Sequence, residues 1–466
     1  MASFSHRVVE AGRGRCESEG MAKVYRPYFP EQDFLLPPSL REWLPENHLA
    51  YFVSDLIDQL DLSAIEGYYE SEERGYPPYH PRMMTKVLVY GYATGVFASR
   101  KLERKLVEDV AFRVLAAGNE PDFRTISDFR RIHLKALQGL FEQVLRLALK
   151  LGAMKLGRVA IDGSKVKANA SKHKAMSYRY MQEEEERLQQ EARRLLAEAE
   201  QIDKEEDKRY GRSSRGDELP AELQRREQRL QRIAEAKREL EERARAEAAE
   251  KKEPEAKKAK PGSPRAGSGS RGGKPEPKDQ HNFTDPESRI MKGPDGFVQA
   301  YNAQIAVEPE LQLIVGHSVT QQANDKKQLL PMIDTVQQQS GQEVSEALAD
   351  SGYCSEENLR AARKKNVNLY VATGKQKHNQ APQPCPRGPI PQAATLVDRM
   401  KRKLATKAGR AIYALRKTIV EPVFGQIKQA QGFRQFLLRG HEKVQGEWTL
   451  VCTTHNLLKL YRICTA

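Results

Sequence analysis

The alternation of apolar and polar residues divides the chain into stretches of different character. From 25 to 151 apolar residues recur every three or four positions between short breakers, which predicts helices over 49–60, 81–94, 99–116 and 125–151. In the last of these, Phe129, Ile132, Ala136, Leu140, Val144, Leu147 and Leu151 fall on one face. Between 181 and 260 the apolar positions thin to a narrow seam. Leu188, Ala192, Leu195, Ala199 and Ile202 alternate steps of four and three, and Leu223, Leu230, Ile233 and Leu240 follow the same rule, with Arg226 and Lys237 interrupting it. The turn-rich run YGRSSRGDELP lies between the two sets, so the pattern predicts a helical hairpin with an antiparallel coiled-coil seam. From 253 to 280 the chain is Pro, Gly, Ser and Lys with almost nothing to bury, and is expected to be a disordered basic linker.

A different period appears on either side of that insert. Val159-Ala160-Ile161 is a short apolar run ending in Asp162-Gly163, which reads as a buried strand closed by its glycine. After the linker, 296–310 alternates apolar and polar residues and 311–320 follows as a second strand, a hairpin. Residues 325–339 read as helical, and a strand then leads into Asp350-Ser351-Gly352-Tyr353. Ser355 caps a helix to 364 with acids in its first turn, and NVNLYVAT is a further short strand. The order is strand, insertion, strand, strand, helix, strand, helix, strand: a mixed sheet with helices on its faces.

Charge sharpens the division. The 466 residues carry 77 Lys+Arg and 63 Asp+Glu, a formal +14. Residues 181–260 hold 23 acidic and 21 basic side chains, a net −2, so the other 386 residues carry +16. A basic surface of that kind points to nucleic acid, weakly when taken alone. No run approaches the roughly 20 apolar residues of a membrane helix, and MASFSHRVVEAGRGRC has no apolar signal region. Five scattered cysteines without a CxxC pair argue against a disulfide framework or a cysteine zinc site and fit a reducing, cytosolic compartment.

The candidate chemistry is carboxylate chemistry. Asp162 and Asp350 stand at the ends of two apolar runs, each followed closely by Gly. A carboxylate there is costly to bury unless it is paired or metal-bound, and strand ends of such sheets are where sites are built. Two of them suggest Mg²⁺, a hard cation held by oxygens; the alternative for each is a turn-forming residue. A third carboxylate is offered by Glu421, which precedes Pro422 and opens or kinks a helix, with Lys428 seven residues on along the same face. Tyr413, Arg416 and Lys428 would bracket a phosphate backbone around it; the alternative is an ordinary surface acid. Asp325 competes for a catalytic role, but follows the polar stretch QQAN and reads better as a helix N-terminal residue. His317 reads as structural. In the amino-terminal helices Arg124, Arg130 and Arg131 make a basic helix suited to DNA, or the solvated face of an ordinary bundle.

Taken together, these residues resemble a DDE-type transposase of bacterial insertion sequences. The first aspartate matches Ala160-Ile161-Asp162-Gly163-Ser164, the second Ala349-Asp350-Ser351-Gly352-Tyr353, and the glutamate Val420-Glu421-Pro422-Val423-Phe424-Gly425 with Lys428 after it. The Tyr–Arg–Glu–Lys signature is similar to Tyr413, Arg416, Glu421 and Lys428; the Arg-to-Glu gap is one longer than in the commoner pattern, which leaves Lys417 as the alternative to Arg416. Pro78-Tyr79-His80-Pro81-Arg82 with Tyr90-Gly91-Tyr92, and the run Pro121–Arg130, resemble the family's helical amino-terminal domain. Thr284-Asp285-Pro286 and Tyr301-Asn302-Ala303-Gln304 resemble its return into the catalytic domain. The likeness covers about 25–175 and 281–462. Met21 precedes it, and the first 20 residues resemble nothing, as an upstream start would leave them.

The resemblance implies an α/β RNase H-like catalytic domain with a mixed five-stranded sheet and flanking helices, split by the helical hairpin and preceded by an all-α domain. The expected division is 1–24 disordered extension, 25–151 helical DNA-binding domain, 152–175 with 281–466 catalytic domain, 176–252 hairpin insertion, and 253–280 linker. It further implies a polynucleotidyl transferase in which Asp162, Asp350 and Glu421 hold two Mg²⁺ ions, with Mn²⁺ as a possible substitute. Such an enzyme cleaves double-stranded DNA at the element ends and joins them to target DNA. Tyr413, Arg416, Lys428, Arg124, Arg130 and Arg131 are the expected DNA contacts. A homodimer or higher assembly would bring two ends together in the bacterial cytoplasm, on the nucleoid when bound. The alternatives are an RNase H-like nuclease that does not join strands, a DNA-binding relative without chemistry, and a coiled-coil scaffold.

Overall fold

The computed structural model describes residues 39–70, 77–152, 154, 156–210, 221–256, 273–293, 296–374, 385–386 and 388–465. The expected extension at 1–24, the turn between the two long helices at 211–220 and most of the linker lie outside these residues.

Seven helices come first: α1 (Leu49–Gln59), α2 (Ser63–Glu70), α3 (Pro81–Ala93), α4 (Ser99–Glu108), α5 (Val110–Leu115), α6 (Phe123–Ile132) and α7 (Leu134–Lys150). Two of the expected helices are each two. Asp109 interrupts the first: its backbone is extended and its side chain accepts from Ala111 N at 3.0 Å, capping α5. His133 interrupts the second, buried and hydrogen-bonded through Nε2 to Tyr69 Oη at 2.9 Å. The break rotates the buried face, so Leu137, Phe141, Leu145 and Ala148 point inward while Ile132 and Leu151 are exposed.

The sheet follows. β1 (Arg158–Lys167) leads through β2 (Ala175–Ser177) into α8 (Tyr178–Tyr210) and α9 (Ala221–Ala256). Then come β3 (Gln280–Asn282), β4 (Arg289–Gly293), β5 (Gly296–Val307), β6 (Ile314–Thr320), α10 (Leu329–Ser340), β7 (Glu346–Ala349), α11 (Glu356–Lys364), β8 (Asn368–Val371), α12 (Leu396–Ala405), α13 (Lys407–Ile419), α14 (Glu421–Gly425) and α15 (His441–Thr465). β5, β1, β7 and β8 lie side by side, antiparallel between β5 and β1 and parallel across β1, β7 and β8. β4 and β6 both pair with β5, β4 along residues 296–300 and β6 along 302–307. The sheet therefore has six strands where five were expected: residues 289–293, which carry no strong alternation, are recruited by the long β5. Residues 325–327 form a 3-10 turn, and α10 begins only at Leu329.

α8 and α9 run antiparallel. Tyr178 Oη donates to Glu241 Oε1 at 2.8 Å, Lys237 pairs with Glu185 at 2.5 Å and Arg226 with Glu191 at 3.1 Å. Met181, Leu188, Ile233, Ala236 and Leu240 form a small core of their own. Arg226 and Lys237, which interrupt the apolar spacing, are the cations of two of these ion pairs. The segment expected to be disordered departs from that expectation at both ends. Residues 253–256 belong to α9, and 273–280 are ordered, with Pro277 O and Asp279 O accepting from the first backbone amides of α8.

One hydrophobic core runs from the amino-terminal helices through the sheet. Its centre is α15, buried along most of its length and packed against α3, α7 and β6. A side chain at Gly446 would put its Cβ 2.5 Å from Leu134 Cγ, so a glycine is what lets α15 approach α7 so closely. Among the described residues no helix is long and apolar enough to cross a membrane.

Candidate active site

The site is built where the sheet divides. β1 is flanked by β7 only as far as Ile161, opposite Ala349, whereas its pairing with β5 continues to Lys167. Asp162 is therefore inside its strand; Gly163 does not end it. The strand continues because β5 still satisfies the backbone, and what ends at Asp162 is the neighbour. Gly163 serves a different purpose: its Cβ would fall 2.1 Å from Gln304 Nε2, so the side chains of β5 occupy the space it leaves open. Asp350 is the first residue beyond β7 and turns the chain away by accepting from Gly352 N at 2.8 Å, the cap of a 3-10 turn over Ser351–Tyr353. Two carboxylates thus leave adjacent parallel strands at the same level.

Asp162 is mostly buried. Burial pushes its carboxyl up to about 6, the neighbouring charge of Asp350 adds to this, and Arg416 opposes it. Arg416, on α13, donates from Nη1 to Asp162 Oδ2 and from Nη2 to Glu421 Oε1, both at 3.1 Å. Burial works against its charge, but Asp162, Tyr413, Glu421 and Asp350 together hold its pKa above the ordinary arginine value. Lys417, the alternative, is exposed. Glu421 is the first residue of α14 with Pro422 behind it, as the sequence anticipated. Its side chain is half exposed. Lys428 lies in a π-helical turn over Gln426–Ala430 and reaches Ser164 Oγ, one residue past Gly163. Burial lowers its pKa while Asp162 partly restores it. Tyr413 is pushed up by burial, against the pull of its hydrogen bond to Arg416.

Asp162, Asp350, Glu421, Tyr413, Arg416 and Lys428 therefore converge at one end of the sheet. Two predicted arginines lie elsewhere, Arg124 and Arg131 on the exposed side of α6, with Arg131 paired to Asp128. Arg130 is a correction. It is 5% exposed, and donates to Tyr92 Oη at 3.1 Å and Phe97 O at 2.9 Å. Tyr92 in turn donates to buried Glu447 of α15. Its guanidinium is committed inside the molecule and is not presented to a phosphate. His317 is buried edge-on against Phe141, a packing role.

Among the described residues no three carboxylate, imidazole or thiolate groups are gathered as a metal-holding cluster. The residues still fit a hard divalent cation. The donors are all oxygen, and burial with the nearby charge of Asp350 leaves Asp162 short of compensating charge even beside Arg416. Arg416 stands between Asp162 and Glu421, supplying the positive charge there itself. Asp325, Asn302, Gln304 and Tyr353 complete the surroundings without having been read as part of the site. Two polar residues fully buried in the apolar strand β5 were the available signal.

Residues 38–131 match the family described as Transposase domain (DUF772). Residues 270–457 match the family described as Transposase DDE domain. No curated protein and no solved structure matches the chain.

Proposed function

We propose, for a chain that belongs to the DDE-type transposases of insertion sequences, that it binds its element's ends and performs cleavage and strand transfer with Asp162, Asp350 and Glu421. The observation that carries this is the fork of the sheet. Asp162 and Asp350 emerge side by side from β1 and β7, and Arg416 joins Asp162 to Glu421, more than 250 residues away in sequence. The order of strands around β1, antiparallel on one side and parallel on the other, supports an RNase H-like domain interrupted by α8 and α9.

Asp162, Asp350 and Glu421 would hold two Mg²⁺ ions, which supply charge neutralisation and an acidified oxygen nucleophile for in-line phosphoryl displacement. The remaining work belongs to this chain's side chains. Asp162 is desolvated and fixed by Gly163 N and Arg416, so its oxygens are aimed before substrate arrives. Lys428, half-buried beside Ser164, places a cation next to the carboxylates, suited to a bound phosphate. Arg416 exchanges its carboxylate partners for phosphate oxygens when DNA is seated, in the bidentate geometry guanidinium favours. Arg124 and Arg131 present positive charge on α6 for the duplex backbone, outside the active site. Two copies act together, one for each end, in the cytoplasm.

A labelled duplex carrying the element's terminal repeats, incubated with the full chain and Mg²⁺, tests the reading. Nicked and joined products are expected from wild type, and a loss of about 10²–10³-fold in Asp162→Ala and Glu421→Ala, since each removes a carboxylate that would hold the ions. Nicks without joining would support a nuclease. DNA binding with no metal-dependent product would sink the catalytic assignment.

A further inference from the structure

A polar network centred on one further carboxylate, Asp325, lies beside the first site. Asp325 opens the 3-10 turn Asp325–Lys327. Its carboxylate accepts from Asn302 Nδ2 at 2.6 Å and Gln304 Nε2 at 2.8 Å, and is ion-paired to Lys165 Nζ at 3.2 Å. These donors come from β5 and β1, the strands that frame Asp162. Gln304 also donates to Asn302 Oδ1 at 2.9 Å, and its own Oε1 accepts from Tyr353 Oη. Tyr353, fully buried, is the last residue of the turn that Asp350 caps. Asn358 ties the two turns from below, donating to Lys326 O at 2.6 Å and to Tyr353 O at 2.7 Å.

The network abuts the proposed site at both glycines. Gln304 fills the space beside Gly163, next to Asp162. A Cβ on Gly352 would lie 2.9 Å from Asp350 Oδ1 and 3.5 Å from Asp325 Oδ2, so the two carboxylates share one side of that turn. Holding Asn302 and Gln304 inside an apolar strand is expensive relative to aliphatic side chains. Here the polar atoms form a continuous path from β5 to the Asp350 turn.

We propose that Asp325 is a positioning residue for the reaction: gripped by Lys165, Asn302 and Gln304, it fixes Tyr353 and the Ser351–Tyr353 turn, and so sets where Asp350 stands relative to Asp162. Lys165 neutralises Asp325, so Asp350 is oriented by its neighbour without facing a second unpaired negative charge. This rests on the assignment of Asp162 and Asp350 given above.

The test uses the full chain and Mn²⁺ binding followed by electron paramagnetic resonance without DNA, alongside cleavage as a function of Mg²⁺. Outer partners of metal-holding carboxylates typically govern affinity by about 10- to 100-fold. Asp325→Ala and Lys165→Met are expected to weaken Mn²⁺ binding within that range. Cleavage should shift to higher Mg²⁺, with most of the maximal rate recovered at saturation and end binding unchanged. Tyr353→Phe removes one hydroxyl and should move the same quantity by a smaller factor, and Lys165→Arg should restore it. If Asp325→Ala does not fold, Tyr353→Phe and the Lys165 pair decide. Wild-type Mn²⁺ affinity in all these variants would overturn the proposal. So would Asp325→Ala losing Mn²⁺ as completely as Asp162→Ala while Asp350→Ala keeps it, which would make Asp325 the ligand. An active Asp350→Ala enzyme overturns the site assignment itself. An inactive Asp350→Ala enzyme beside normal Asp325 variants overturns only the positioning role.

Discussion

Arg130 shows how much one side chain's placement decides. Two adjacent arginines in a basic helix look alike in sequence, yet Arg131 is exposed and paired with Asp128, while Arg130 is buried in a chain of contacts with Tyr92 and Glu447. Glu447 Oε2 also accepts from Leu437 N and Leu438 N at 2.9 and 3.0 Å. Burial raises the Glu447 pKa, and Arg130 pulls it back. Replacing Arg130 with Met removes its bonds to Tyr92 and Phe97 and leaves their buried oxygens unsatisfied, and about 1–3 kcal/mol of stability should be lost in urea unfolding. The same change at Arg131 should cost under about 1 kcal/mol. Nothing local to 124–131 distinguishes the two, because the distinction is made by Tyr92 and Glu447, remote in sequence. Asp162, Asp350 and Glu421 could be singled out as candidates for the opposite reason: apolar runs lead into the two aspartates, and proline follows the glutamate. Arg416 was singled out by its place in a signature with Tyr413, Glu421 and Lys428. Its grip on both Asp162 and Glu421 depends on how α13 crosses the sheet.

At the scale of elements, periodicity located helices better than their ends. The predicted 99–116 helix is broken at Asp109 because a short acidic side chain can cap a new helix more readily than continue an old one. Asp109→Ala should therefore cost about 1 kcal/mol through the lost cap of α5, measurable as a shift in denaturant midpoint without a change in its slope. β1 shows the converse error. Asp162-Gly163 carries the local signature of a strand end, but tertiary pairing to β5 carries the strand five residues further. β4 lacked any signature and exists because β5 is long enough to offer it a partner. Leu188, Ile233 and Leu240 of the regular apolar spacing in α8 and α9 are buried together with Met181 and Ala236, which that spacing did not include. The ion pairs of α8 and α9, including those of Arg226 and Lys237, depend on how two separate helices are matched, which spacing along one helix does not specify.

Burial favours the neutral form of four histidines among the described residues, His133, His281, His317 and His455. Burial takes His317 down to about 3 and His455, which bonds Gln312 O, down to about 4. Both folded values lie below the roughly 6.5 of an unfolded chain. The stability gained by keeping them neutral is thus complete above about pH 6.5 and is lost as pH falls toward 4. Each contributes a slope of up to about 1.4 kcal/mol per pH unit. Asp162, raised to about 6, acts in the opposite sense, favouring the fold as pH falls, and so do Glu308 and Glu447, whose carboxyls burial also raises. The histidine contribution to the unfolding free energy should therefore drop between about pH 6.5 and 4, and His317→Gln should remove one histidine's share of that slope. An unchanged slope in that variant would exclude His317 as a source.

The packing of α15 against α3 and α7 also sets a schedule. A ribosome releases α7 roughly 300 residues before it finishes α15, about 15–60 s at ordinary elongation rates. For that interval the inner faces of the amino-terminal helices have no cover, and Arg130 lacks Glu447. A nascent or prematurely ended chain therefore lacks the packing that α15 gives to α3 and α7.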